Sequence, residues 1–72
     1  MEKIVVELCE IFEVDELPLN VRFEDLPGWD SLSALGVIAL LESNYGLHMM
    51  AVDLIKFSSV SEFVQYVLAH KK

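Results

Sequence analysis

The chain has 72 residues, 54% of them hydrophobic, a single cysteine and a net charge of −7. That length makes one domain (residues 1–72) with one modest core, and the apolar content excludes disorder. The lone cysteine excludes an internal disulfide and fits a reducing compartment; no apolar run is long enough to cross a bilayer, and the negative sign disfavours nucleic acid and anionic membranes, which need clustered Lys and Arg.

The N-terminal stretch "MEKIVVELCE" carries acids inside its apolar pattern and reads as neither signal nor transit peptide, so a cytoplasmic, monomeric, soluble chain is expected. The charge is unevenly spread. Residues 1–30 hold nine acids against Lys3 and Arg22, a net −7, whereas Glu42, Asp53 and Glu62 are balanced downstream by Lys56, Lys71 and Lys72.

Ile4, Val5, Leu8, Ile11 and Phe12 recur at helical spacing with glutamates between them, which predicts an amphipathic helix over about residues 2–14. Residues 15–30, "DELPLNVRFEDLPGWD", hold two prolines and a glycine and predict a long loop. Its Leu19, Val21, Phe23, Leu26 and Trp29 are too apolar for a free linker and should anchor it across the bundle. A second helix is predicted from Ser31 to Asn44, apolar nearly all round, with Gly46 as its left-handed stop. Gly36 inside it should cost about 1 kcal/mol relative to alanine, a cost accepted where close approach is needed. A short helix is predicted around Val52 to Phe57, and a last helix after Ser59, where Ser59-Val60-Ser61-Glu62 has capping-box form. The fold class is therefore all-α: a small bundle of three main helices plus one short helix, with a long loop between the first two.

Catalytic chemistry finds little support. Cys9 lies between core positions of the first helix and reads as structural. His48 and His70 share no metal-ligand spacing with each other or with Cys9, so neither a metal site nor an enzyme is expected. Ser31 stands apart. In "PGWDSLSALG" it follows a turn, opens a helix and lies beside Asp30. Either Asp30 or Ser31 merely caps the helix, or Ser31 is held out as a chemical handle where backbone N–H groups favour an attached phosphate.

The run "FEDLPGWDSLSALGVIALLESNYGL", with its Asp-Ser-Leu triplet, the preceding Glu24-Asp25-Leu26, Glu42 after aliphatics and the Tyr45-Gly46 pair, resembles the acyl carrier protein family in order and spacing. The downstream "FSSVSEFVQYV" looks like that family's last loop and helix. The resemblance implies that Ser31 receives 4'-phosphopantetheine from coenzyme A through a phosphopantetheinyl transferase, with Asp30 and Leu32 flanking the attachment point. The arm's thiol then carries acyl groups as thioesters to acyl-activating, condensing or acyl-transfer enzymes of fatty-acid, polyketide or another specialised pathway. It implies partner docking through Leu32, Ala39, Glu42, Val52 and Asp53, and an acyl cleft lined by some of Leu35, Leu41, Met49, Leu54 and Phe57. The Asp-Ser-Leu form favours an acyl over a peptidyl carrier. Positions where many family members carry docking acids read Ser33, Gly36, Val52 and Asp53 here, leaving only Asp30, Glu42 and Asp53 charged in the docking zone, so apolar contact should outweigh charge and a dedicated pathway is favoured. The competing expectation is an unmodified helical interaction module that docks through the apolar second helix.

Overall fold

A computed structural model describes residues 2–71. They form four α-helices, α1 (Glu2–Phe12), α2 (Ser31–Leu40), α3 (Ala51–Leu54) and α4 (Val60–His70), and no strand among the described residues. The bundle has the expected class: three main helices, a short third one, and a long α1–α2 connection.

On α1, Ile4, Leu8 and Phe12 follow one another at intervals of four and are buried, as that spacing requires. Cys9 is half-buried against the core. The helix stops at Phe12, not at residue 14. Glu13 turns into the left-handed region (φ 57°), and the Glu13 and Val14 N–H groups close back on the Glu10 and Cys9 carbonyls at 3.3 and 3.0 Å. This pair of bonds is a Schellman closure, which satisfies carbonyls that a helix end leaves open, here with glutamate in the place usually held by glycine.

The long connection is strapped down. Leu17, Phe23 and Leu26 are buried, and Leu19, Val21 and Trp29 are partly buried against the same core. Phe23 lies edge-on to Phe63 of α4 at 4.8 Å, while Trp29 packs on Phe12 and Phe23 at 6.4 and 5.7 Å, so Trp29 braces the loop as an aromatic anchor. The Val21 and Leu19 carbonyls accept the Val60 and Ser61 N–H groups, each at 2.8 Å. The loop thus supplies acceptors to the first turn of α4, whose N–H groups have none within the helix. Ser59 Oγ accepts a third, from Glu62. The expected reciprocal box does not close on Ser59, because the Glu62 carboxylate turns to the Ser58 hydroxyl at 2.7 Å.

The second helix keeps α-geometry only to Leu40, and Leu41–Tyr45 form a wider π turn before Gly46 (φ 66°) ends it. Both polar residues at that end reach α1: the Tyr45 hydroxyl and the Asn44 amide donate to the two oxygens of Glu7 at 2.6 and 2.7 Å. Burial beside that carboxylate pushes the Tyr45 phenol up to about 12. The short α3 covers Ala51–Leu54 rather than extending to Phe57.

The start of the second helix as a candidate attachment site

Pro27-Gly28 makes the turn that delivers Asp30 and Ser31. The Trp29 N–H bonds the Leu26 carbonyl at 3.2 Å and Gly28 takes φ 83°, which with proline before it is the signature of a type II turn. Only glycine adopts that angle without strain. Asp30 then caps α2: its Oδ1 accepts the Ser33 N–H at 2.8 Å. The Ser33 hydroxyl accepts the Asp30 N–H at 2.9 Å and donates to the Asp30 carbonyl at 3.0 Å. Ser33 is buried at 7% exposure, so it is a capping partner and not a surface position open to a partner.

That arrangement assigns the cap at Asp30-Ser31. The cap belongs to Asp30 and Ser33, and Ser31, the first residue of α2, is exposed. Among the described residues its hydroxyl is spared from capping, and the backbone N–H groups of the first turn give this end of the helix partial positive charge. An anion joined to the Ser31 oxygen would stand in water at that end. These residues therefore fit a phosphate ester. The capping role of Ser33 went unread in the sequence, although Asp30 and Ser33 have the three-residue spacing of a capping box, with serine in place of the usual Glu or Gln.

Around Ser31 the surface is apolar. Leu32 is 78% exposed and Leu35 61%, and with exposed Ala39 they follow one face of α2. α3 packs on α2 and presents Met50 and Val52 to solvent, each 58% exposed. The charges expected to assist docking are partly occupied. Asp53 accepts the Met50 N–H at 2.9 Å and faces Lys56 at 3.9 Å, and Glu42 lies 3.5 Å from the His48 ring.

The five expected cleft residues do not line one hollow here. Leu41 and Leu54 have no exposed surface, Met49 is 7% exposed, Phe57 is half-buried, and Leu35 faces solvent. Met49 and Phe57 meet instead, with Tyr66, in an open hollow between α3 and α4 rimmed by Asp53, Lys56 and Glu62. His70 stacks on Tyr66 at 4.1 Å, and its Nδ1 lies 2.8 Å from the Tyr66 carbonyl.

Gly36 marks the close approach of α1 and α2: a Cβ added there would lie 3.2 Å from Ile11 Cγ2. Beside it, a groove of about 440 Å³ runs between the end of α1 and the start of α2. No helix among the described residues is long and apolar enough to cross a membrane.

The family model for a phosphopantetheine attachment site matches residues 2–67. An acyl carrier protein of Rickettsia bellii (strain OSU 85-389) is 27% identical over 59 residues, covering 82% of this chain and 73% of that protein. No solved structure gives a significant match. A family match across nearly the whole chain, on a four-helix bundle of this form, shows that the chain belongs to the acyl carrier protein family, whose members carry covalent 4'-phosphopantetheine and are carriers rather than enzymes.

Proposed function

We propose that Ser31 is the attachment residue, and that residues 1–72 form one carrier domain presenting acyl groups as thioesters at the end of the arm. The observation that carries this reading is the division of labour at the start of α2: Asp30 and Ser33 close the cap between them, leaving Ser31 exposed and uncommitted. The chain contributes position, charge environment and an address for partners. Tethering raises the local concentration of the acyl group at each docked enzyme.

The partners are a phosphopantetheinyl transferase and acyl-handling enzymes of a dedicated pathway, which meet the chain through Leu32, Leu35, Ala39 and Val52. The near-neutral second half of the chain, with Asp53 facing Lys56 and Glu42 beside the His48 ring, favours apolar recognition over charge. Incubation with coenzyme A and a broad-specificity transferase, followed by intact-protein mass spectrometry, tests the attachment. The chain gains the mass of one arm and Ser31→Ala gains none. Retention of the arm by Ser31→Ala would place the attachment elsewhere, and a wild-type chain that gains no mass would be an unmodified interaction module.

A further inference from the structure

We infer that the groove between the end of α1 and the start of α2 is a resting site for the uncharged portion of the arm; this rests on attachment at Ser31. Asp30 and Leu32, the two neighbours of Ser31, both line the groove, so an arm joined at Ser31 begins beside it. Its apolar lining is Ile11, Phe12 and Leu32, with Gly28 and Gly36 letting the Phe12 and Ile11 side chains lie close against the backbone. At about 440 Å³ it falls within the ~300–1,000 Å³ of small-molecule sites. Leu32, 78% exposed, gains cover when the groove fills.

The polar chemistry of the groove selects which part of the arm enters. α1 ends here, so its last carbonyls bring partial negative charge, and the Schellman closure uses the carbonyls of Cys9 and Glu10, not those of Ile11 and Phe12. Glu13 and Asp30 also line the groove, Asp30 with its Oδ1 on the Ser33 N–H. The α2 start keeps its partial positive charge beside Ser31, where the phosphate is joined, while the α1 end offers carbonyls to N–H and O–H donors. The pantetheine portion has two amide N–H groups, a hydroxyl and a pair of geminal methyls, and so matches both the carbonyls and the apolar wall. The phosphate remains at Ser31 in water. The opposite hollow, between α3 and α4, has Lys56 at its rim and lacks contact with either neighbour of Ser31.

The test uses the full chain, isotopically labelled and loaded with an unlabelled arm, with loading at Ser31 verified by mass. Isotope-filtered NOEs are expected from the geminal methyls to Ile11 and Leu32, with amide shifts at Gly28 and Gly36 relative to the unloaded chain. Gly36→Val puts a side chain against Ile11 in the groove and should abolish those NOEs in a protein still fully loaded by mass. Ile11→Ala, which removes part of the wall, should weaken them without filling the groove. NOEs to Met49, Phe57 or Tyr66 instead, or a loaded chain with no NOE from the arm to Ile11 or Leu32, overturn the inference while leaving attachment intact. Failure of Ser31 to take up the arm overturns the attachment, and this inference with it.

Discussion

Glu13 is held where glutamate is a poor choice. Its φ of 57° closes α1, and a side chain with a Cβ costs about 1–2 kcal/mol in that region. Glu13→Gly is expected to stabilise the unloaded chain by about 1 kcal/mol net of the entropy glycine adds to the unfolded state, a rise of roughly 4–8 °C in Tm. Glu13→Ala separates backbone from charge: it removes the carboxylate and keeps the Cβ, so its gain should be clearly smaller. Equal gains from the two variants would show that charge relief in the acidic half, not backbone geometry, is responsible. Tyr45 makes a second prediction at this scale. Its phenol is raised to about 12 by burial and by the Glu7 carboxylate, against 10 for the ordinary phenol. Between those values the folded state binds more protons than the unfolded state. The contribution is therefore complete below pH 10 and is lost as pH rises towards 12, by up to about 1.4 kcal/mol per pH unit. Tyr45→Phe should cost about 1–2 kcal/mol at neutral pH through the lost bond to Glu7. Its stability curve should then converge on that of the wild type across the alkaline window. Denaturant melts at several pH values check this, and parallel curves would remove Tyr45 from the alkaline transition.

Among the elements, the long periodic segments were legible and their ends less so. Ile4, Leu8 and Phe12 announced α1, but its last turn depended on a backbone angle at Glu13 that glutamate does not advertise. The second helix ran as far as its apolar pattern did. Its change to a π turn at Leu41 goes with the long-range ties of Asn44 and Tyr45 to Glu7, which a local pattern does not encode. The loop anchors were readable as an apolar excess, whereas the carbonyls of Leu19 and Val21 serving α4 were not, because backbone pairing across the chain leaves no trace in residue type. The place of Ser31 at the start of α2 was legible from the turn before it; the cap could not be apportioned between Asp30 and Ser31 without the buried partner, Ser33. Gly36 joins two elements and can be tested as such. Alanine there gains about 1 kcal/mol in helix propensity but meets Ile11 Cγ2 at 3.2 Å. Gly36→Ala should therefore gain less than that in the wild type, and close to the full amount in an Ile11→Ala background. A double-mutant cycle by chemical denaturation reads the coupling, and additivity of the two changes would mean that α1 yields freely at this contact.

Over the whole sequence, net charge and exposed apolar side chains fall in different halves. The net −7 lies before Ser31, on α1 and the long loop, while the surface after Ser31 is near neutral and presents Leu32, Leu35, Met50 and Val52. Attraction between a basic partner and solvent-exposed acids is screened over a Debye length of about 8 Å at physiological salt, so it steers approach more than it holds the complex. Apolar contact around Ser31 should supply the binding itself, since exposed side chains of this size carry most of their energy as buried area. The transferase reaction reads this directly, because its kcat/KM reports capture of the chain. Leu32→Ala should lower kcat/KM by about tenfold, the scale of one central interface residue at ~1.4 kcal/mol. Raising ionic strength to about 0.5 M, where screening is nearly complete, should change it by less than about threefold. Leu32→Ala must melt like the wild type for the comparison to count, and at 78% exposure its side chain contributes little to the core. A steep loss with salt, together with an indifferent Leu32→Ala, would transfer recognition to the acids of the first half and leave the apolar face without a role in docking.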